Sequence, residues 1–335
     1  MIETKELLMK LSEIDAPSGM EEKAHGYLKE ILGSGFETKL HGFVHEIKGE
    51  GKPKVGIFCH LDEIGLLVAK EKGEGFFYLE TVGGVDPKIL PSTRVKVYTK
   101  SGIVRGVIGI IAPHLTPPDK KGKVQGFDDI LLDASIDDWG KINVGDRVVL
   151  DVKPEELGDL ITGKAIDNRA GCAVLIKTKE FLESLKHEAD VYLVFSTMEE
   201  VGGPGAKSIA HQLKLDYALV TDVTFAEKVD GHKKINMGDG PAIGIGPFID
   251  KKLFELAKGV AEKHGIKYQI EALPRRTGTD TDSIRTAWIG IKTLLVSVPI
   301  KYMHTPVEIV NPKDVEETAR LFAHIIAQLR GDENE

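Results

Sequence analysis

Four apolar runs in this chain each stop close to an acidic residue or a histidine. The runs are residues 55–59, 191–197, 217–221 and 293–298. Their continuous apolar character is typical of strands that are buried on both faces of a sheet. Helical patterns lie among and after them, at 165–185, 249–264 and 312–330. Strands that alternate with helices require crossover connections, so we predict an α/β fold with a central mixed sheet covered by helices.

The stretch from 73 to 156 differs from the sequence on either side of it. Its apolar segments are short, glycine and proline turns separate them, and no good helix pattern appears before Leu131. This pattern predicts a small, β-barrel-like module. We therefore predict an α/β domain made of residues 1–72 and 157–335, interrupted by an inserted β-rich domain at 73–156.

Composition argues against several classes of protein. The net charge of −8, with no basic stripe, argues against nucleic-acid binding. No apolar run approaches the length of a membrane span, and the N-terminus lacks the pattern of a signal peptide. Cys59 and Cys172 both lie inside apolar runs, which favours a core position for each and a reducing, cytoplasmic compartment. Scarce Asn and Gln beside abundant Lys and Glu resemble the composition of a thermophile.

The residues that follow the four runs are expected to meet at one edge of the sheet. In open α/β sheets, sites form in the crevice at the carboxyl ends of the strands. Asp167 opens the helix at 165–185, so it can enter the site from the same rim. The candidate residues at this edge are His60, Asp62, Asp167, Glu199, Glu200, Asp222 and His304.

This set of side chains fits a hydrolase with two metal ions. It offers two imidazoles, a carboxylate able to bridge, two terminal carboxylates and one spare glutamate as base. A mixture of imidazole and carboxylate ligands favours zinc, cobalt or manganese over calcium. We assign Asp167 as the bridge, Glu200 as a ligand and Glu199 as the general base. Asp62 is expected to bond the second ring nitrogen of His60 and so fix its tautomer.

Each candidate also has a purely structural interpretation. Asp167 has the position of a helix N-cap, and the pair Glu199-Glu200 could be an acidic helix start. Asp222 could be a turn aspartate, and His304 alone would more often be structural. The shared edge of the predicted sheet favours a site over these separate explanations.

Seven motifs, in one order, resemble those of a known family. They are His60-Leu61-Asp62-Glu63-Ile64-Gly65, Gly83-Gly84-Val85-Asp86, Asp167-Asn168-Arg169, Glu199-Glu200-Val201-Gly202, Thr221-Asp222-Val223-Thr224, Gly278-Thr279-Asp280 and Tyr302-Met303-His304-Thr305-Pro306-Val307-Glu308. On these motifs the chain resembles, over nearly its whole length, the tetrahedral (TET) aminopeptidases. These are the di-metal glutamyl and deblocking aminopeptidases of archaea and bacteria.

The resemblance implies a fold of the di-zinc exopeptidase type whose inserted β-rich domain serves in dimerisation. It implies dimers that assemble into hollow tetrahedral dodecamers, short peptides as substrates, and two divalent ions per subunit, with zinc or cobalt favoured. By the same resemblance His60 and Asp222 would hold one ion, and Glu200 and His304 the other. Asp167 would bridge the two ions, Glu199 would be the base, and Asp62 would support the site from behind the ligands.

The chain also departs from the family, and other functions stay open. Some relatives have a glycine run before Gly278, where this chain has Pro274-Arg275-Arg276-Thr277. Arg275 or Arg276 could favour an acidic substrate side chain, although a surface or intersubunit position is the preferred interpretation. Alternatives to the aminopeptidase are a di-metal hydrolase of acylated amino acids, a glycan hydrolase using two carboxylates, and a non-enzymatic metal-binding assembly protein. The spare base Glu199 argues against the last of these.

Overall fold

A computed structural model of the chain describes residues 2–112, 114–118, 123, 126–226 and 235–330. Within these residues the helices are α1 (Thr4–Glu13), α2 (His25–Leu32), α3 (Ile166–Leu182), α4 (Pro204–Leu213), α5 (Lys251–His264), α6 (Asp280–Ile284) and α7 (Pro312–Ile326). The strands are β1 (Phe36–Glu37), β2 (Phe43–Ile47), β3 (Lys54–His60), β4 (Gly65–Gly73), β5 (Phe76–Val82), β6 (Thr93–Thr99), β7 (Gly102–Ile108), β8 (Leu131–Asp133), β9 (Arg147–Leu150), β10 (Glu155–Leu157), β11 (Leu160–Gly163), β12 (Asp190–Ser196), β13 (Tyr217–Phe225), β14 (Ala242–Ile245), β15 (Gln269–Ala272), β16 (Lys292–Lys301) and β17 (Glu308–Val310).

The large sheet is mixed, as predicted. Its order is β1-β2-β12-β3-β13-β16-β17-β11-β10, with β14 pairing β16 and β15 beside this path. The four strands predicted from continuous apolar runs, β12, β3, β13 and β16, are neighbours and mutually parallel. Since all four run in one direction, their carboxyl ends lie at one edge of the sheet, which is the condition for the predicted site.

Helices complete the core of this sheet. Helix α3 is buried along most of its length, because it packs against the sheet on one side and against α1 and α7 on the other. Its small residues, Ala170, Gly171, Cys172 and Ala173, allow the close approach. The consecutive apolar residues from Cys172 to Ile176 are expected in such a central layer, since they face protein on every side.

The inserted module is a closed barrel with strand order β4-β5-β8-β7-β6-β9. It has its own apolar core, which includes Leu66, Val68, Leu79, Val97 and Val148. The barrel strands run from Gly65 to Leu150, whereas β10 and β11 belong to the large sheet. The predicted boundary was set at residue 73, where the sequence changes character. In the structure this residue lies at the hairpin after β4, and β4 is itself a strand of the barrel. The domain boundaries at 73 and 156 stay a prediction.

No helix among the described residues is long and apolar enough to cross a membrane.

A buried charge network joins the barrel to the α/β part of the molecule. Asp15, after α1, accepts hydrogen bonds from Lys96 Nζ (2.8 Å) and from the Tyr98 hydroxyl (2.6 Å), both on β6. The other Asp15 oxygen lies 3.0 Å from Lys164 Nζ, which also donates to Glu63 Oε2 at 2.6 Å. The Lys164 side chain is 3% exposed, so its charge is compensated by these two carboxylates rather than by water.

We expect Lys164→Met to destabilise the fold by about 3–5 kcal/mol, because it removes the buried cation that Asp15 and Glu63 share. Urea unfolding at fixed protein concentration measures this change. Lys179→Met is the control, since Lys179 forms an i,i+4 pair with the largely exposed Glu183. That substitution should cost less than about 0.5 kcal/mol. Equal small effects of both substitutions would contradict a structural role for the network.

Candidate metal centre

The structure brings the predicted residues together at the carboxyl edge of the parallel strands. His60 is the last residue of β3, and Glu199 and Glu200 lie in the tight turn that follows β12. Asp222 lies within β13 rather than after it, because that strand continues beside β16 as far as Phe225. His304 lies in the turn between β16 and β17, with a left-handed φ of 62°.

The candidate ligands form two groups that share Asp167. One group is His60, Asp167 and Asp222, and the other is Asp167, Glu200 and His304; the ligand atoms of each group lie within 4.8 Å of one another. Asp167 Oδ1 lies 3.1 Å from His60 Nε2, and Asp167 Oδ2 lies 3.2 Å from His304 Nε2. The two oxygens of one carboxylate therefore face different groups, as a bridging ligand requires.

Asp167 is free for this role because its neighbour caps the helix. Asn168 Oδ1 accepts a hydrogen bond from the Gly171 amide at 2.9 Å, and Asn168 Nδ2 donates to the Thr221 carbonyl at 3.0 Å. The backbone of Asp167 lies outside the helical region, with φ −76° and ψ 103°. The capping interpretation therefore applies to Asn168, and the Asp167 carboxylate points into the site.

Asp62 contacts the site differently from the expectation. His60 Nδ1 lies 3.0 Å from the Asp62 backbone carbonyl and 3.6 Å from the Asp62 carboxylate. The strand ends at His60, so the alternation of side chains no longer directs the Asp62 side chain at the ring. The carboxylate instead accepts hydrogen bonds from the amides of Glu199 (3.1 Å) and Glu200 (3.2 Å).

A glycine pair from the barrel side closes around the second group. The Gly84 carbonyl lies 3.0 Å from His304 Nδ1, which fixes the ring so that Nε2 faces Asp167 and Glu200. A Cβ at Gly84 would lie 2.8 Å from that same nitrogen, so a larger residue would displace the imidazole. Gly83-Gly84 thus matters to the site through its lack of side chains.

Sequence reasoning from the residues alone missed two buried carboxylates behind the ligands. Glu308 accepts hydrogen bonds from the amides of His304 (2.7 Å) and Asp167 (3.2 Å), and so positions the backbone of both residues. Asp280 accepts a hydrogen bond from the Ser196 hydroxyl at 2.5 Å. The available signal was that both residues belong to the motifs Gly278-Thr279-Asp280 and Tyr302–Glu308, although neither follows a predicted strand directly.

The electrostatics of the site call for cations. Burial raises the pKa of Glu199 to about 9, and the Asp222 carboxylate adds to this rise. Burial also raises the pKa values of Glu200 and Asp222. Burial alone lowers the pKa of His304, but Asp167 and Glu200 outweigh this effect and raise it to about 11. Carboxylates exceed imidazoles here, and two divalent ions bound among these oxygen and nitrogen donors would neutralise the surplus.

The two arginines singled out by sequence lie toward solvent. Arg275 is exposed. The Arg276 side chain is 79% exposed, and its Nε lies 3.3 Å from Asp282. This arrangement agrees with the surface interpretation of both residues, whereas their role in choosing substrates stays untested.

Known proteins match this chain over most of its length. A family model described as M42 glutamyl aminopeptidase matches residues 42–321. A lysyl aminopeptidase of Pyrococcus furiosus is 32% identical over 288 residues, which are 83% of this chain and 82% of that protein.

Two solved structures extend the similarity to the fold. Aminopeptidase APDkam598 from Desulfurococcus kamchatkensis is 34% identical, with a TM-score of 0.88 and coverage of 97% of this chain and 95% of that one. The TET1 peptidase of Pyrococcus horikoshii is 28% identical, with a TM-score of 0.88 and coverage of 98% and 100%. The resemblance to TET aminopeptidases is thereby confirmed, and the chain belongs to the M42 peptidase family as a metallo-aminopeptidase.

Proposed function

We propose that this enzyme removes N-terminal residues from short peptides at a centre of two divalent cations, with zinc or cobalt favoured. His60 and Asp222 would hold one ion, Glu200 and His304 the other, and Asp167 would bridge them. The observation that carries this assignment is the orientation of Asp167, whose two oxygens lie 3.1 and 3.2 Å from imidazoles of different groups.

Divalent cations, when bound, polarise a scissile carbonyl and lower the pKa of water. In our proposal the two glutamates of the turn after β12 have different roles in the reaction. Glu200 binds, whereas Glu199 accepts the proton of the attacking water and later passes it to the leaving amine. Burial favours the protonated form of Glu199, which suits the second step, and the charge of the cations opposes this effect, which suits the first.

The site also suits the free end of a peptide. Glu199 and Asp62 belong to neither group of candidate ligands. Their carboxylates add negative charge beyond that of the ligands, so an α-ammonium group next to the scissile bond would be attracted to this edge. A blocked terminus has no such charge. This reasoning favours an aminopeptidase over a hydrolase of acylated amino acids.

We further propose a homo-oligomer, built as a dodecamer from dimers that meet through the inserted barrel. The relative from P. horikoshii assembles into a tetrahedron or a large octahedral shell. The barrel strand β7 and the loop that follows this strand expose Ile103, Val107, Ile110 and Ile111. An interface between copies of the chain would cover these side chains. We propose a cytoplasmic location, in keeping with the two free cysteines, and expect neither nucleic acid nor a membrane as partner.

We expect chelation to abolish peptide cleavage and reloading with zinc or cobalt to restore it, because the cations supply the polarisation of the carbonyl. The measurement is release of free amino acids from short peptides with acidic, basic, apolar and glycine N-termini. N-acetylated versions of the same peptides are the control and should stay intact. Cleavage that favours the acetylated versions would instead support the acyl-amide alternative, and chelator-insensitive cleavage of a β-glucan would support the glycan hydrolase.

A further inference from the structure

Two buried carboxylates hold three consecutive amides of the turn that carries Glu199 and Glu200. The Met198 amide donates to Glu21 Oε1 at 3.0 Å. The next two amides donate to the two oxygens of Asp62, at 3.1 and 3.2 Å. Glu21 is 1% exposed and Asp62 is 0% exposed, so water does not compete for these bonds. Because Met198 has a left-handed φ of 59°, the turn depends on such partners to keep its shape.

Both carboxylates are fixed in turn by one short loop after α1. The Ser18 hydroxyl donates to Asp62 Oδ2 at 2.6 Å, and the Gly19 amide donates to Glu21 Oε2 at 2.9 Å. The loop is itself held by Glu63, whose carbonyl accepts from the Ser18 amide at 3.3 Å. We call Ser18, Glu21 and Asp62 the turn clamp.

The turn clamp fixes the directions of the Glu199 and Glu200 side chains, which have different roles in the proposed reaction. Hydrogen bonds to a carboxylate are short and strong, and they leave the acceptor little freedom to rotate. Without the Ser18 hydroxyl, Asp62 can tilt and still satisfy one of its two amides. The turn would then shift by a fraction of an ångström, and misplacement of about 1 Å can cost about 10²-fold in rate.

We propose that Ser18 and Glu21 are positioning residues for the reaction, acting through Asp62 and the turn backbone on Glu199. This inference rests on the proposed role of Glu199 as base. Neither residue belongs to the two groups of candidate ligands. Their loss is therefore expected to reduce the rate of the chemical step while the cations stay bound.

The first test replaces the hydroxyl of the clamp. Ser18→Ala should lower kcat about 10-fold, with KM unchanged within about 2-fold. Ser18→Thr restores a hydroxyl and should keep kcat within about 2-fold of the wild type. Ser12→Ala is the matched control: Ser12 is 0% exposed, and its hydroxyl donates at the same 2.6 Å, but to the Lys164 carbonyl away from the turn.

The second test replaces the other carboxylate. The Met198 and Gly19 amides bond different oxygens of Glu21, and in Glu21→Gln an NH₂ group replaces one of these oxygens, so one of the two amides loses its acceptor. Glu21→Gln should lower kcat about 10- to 100-fold and speed the hydrogen exchange of the amides of residues 198–200. Asp314→Asn is the control, since buried Asp314 also accepts from two amides, those of Gly238 (2.7 Å) and Gly240 (2.9 Å).

Cation content, melting temperature, kcat and KM are measured for every variant, together with Glu199→Gln. The inference predicts two bound cations and reduced kcat in Ser18→Ala and Glu21→Gln, with rescue by Ser18→Thr and normal kcat in both controls. The inference is overturned if the clamp variants, like the controls, have a lower melting temperature but a normal kcat. It is also overturned if they bind fewer than two cations, because a lower kcat would then follow from the loss of cations. An inactive Glu199→Gln beside fully active clamp variants rejects the inference alone, whereas an active Glu199→Gln rejects the proposed function and the inference together.

Discussion

Glu199→Gln is expected to abolish peptide turnover and to leave both cations in place. The substitution preserves the size of the side chain but removes its ability to accept a proton. General-base catalysis contributes about 10²–10⁴-fold to such reactions, so kcat should fall by about that factor. Cation binding should persist because Glu199 belongs to neither of the two ligand groups.

Metal analysis and peptide turnover measured on the same preparation test this expectation. Glu180→Gln serves as the control, because Glu180 is a partly buried glutamate on α3 whose partner, Lys177, lies away from the site. It should retain full turnover. Turnover within about 10-fold of the wild type in Glu199→Gln would be too large for the loss of a base. Another group, such as the buried carboxylate of Asp280 on α6, would then have to accept the proton.

The central strands were predictable because a strand that is buried on both faces has consecutive apolar residues, and a single sequence shows this pattern. The strands β12, β3, β13 and β16 are buried at nearly every position, and each contains a stretch of consecutive apolar residues. The outer strands carry no comparable signal. The strand β1 has two exposed residues and β10 has three, and each pairs with the next strand of the chain through a short turn, so no apolar pattern marks either of them.

The start of the barrel is hard to recognise in the sequence for a related reason. Strand β4 begins as an apolar stretch directly after the motif His60–Gly65, and it ends in the charged segment Lys70–Lys72. By composition it looks like a continuation of the α/β part. Its pairing with β5 and β9 assigns it to the barrel, and the pairing with β9, which places Leu66 opposite Val148, is not a local property of the sequence.

The candidate ligands could be predicted from their positions, but the groups that orient them could not. A residue at the end of a buried strand has a predictable location, as His60 does. Ser18, Glu21 and Glu308 lie in loops or on a short strand, and they reach the site through contacts 44 to 177 residues apart in sequence. Likewise, Asp167 has the position of a helix N-cap in the sequence, and only the fold shows that Asn168 accepts the hydrogen bond from the Gly171 amide.

Asp167→Asn is expected to disrupt both ions at once, which is the sharpest test of a shared carboxylate. The amide keeps one oxygen as a neutral ligand but replaces the other by an NH₂ group, which cannot bind a cation. It also removes the negative charge that offsets the repulsion between two neighbouring cations. We expect fewer than two ions per subunit, and a fall in kcat of at least about 10³-fold, since polarisation and water activation both depend on the pair.

Substitution of a terminal ligand should have a different signature. His304→Ala affects only the group with Glu200, and His60→Ala only the group with Asp222. Each should leave one ion bound with an affinity close to that of the wild type. Isothermal titration calorimetry of the apo protein with zinc distinguishes Asp167→Asn from the variants of a terminal ligand. Asp314→Asn is again the control for a buried aspartate outside the site, and it should bind two ions.

The bridging role makes a further quantitative demand on these variants. If Asp167 couples the two ions, the loss of affinity in Asp167→Asn must exceed the loss expected for either ion alone, because the effects of groups that share a partner are not additive. If instead Asp167 belongs to one ion, its variant must resemble either His60→Ala or His304→Ala and retain one ion of normal affinity. The titration therefore decides between one shared carboxylate and two independent sites, and a variant with one undisturbed ion would contradict the bridge.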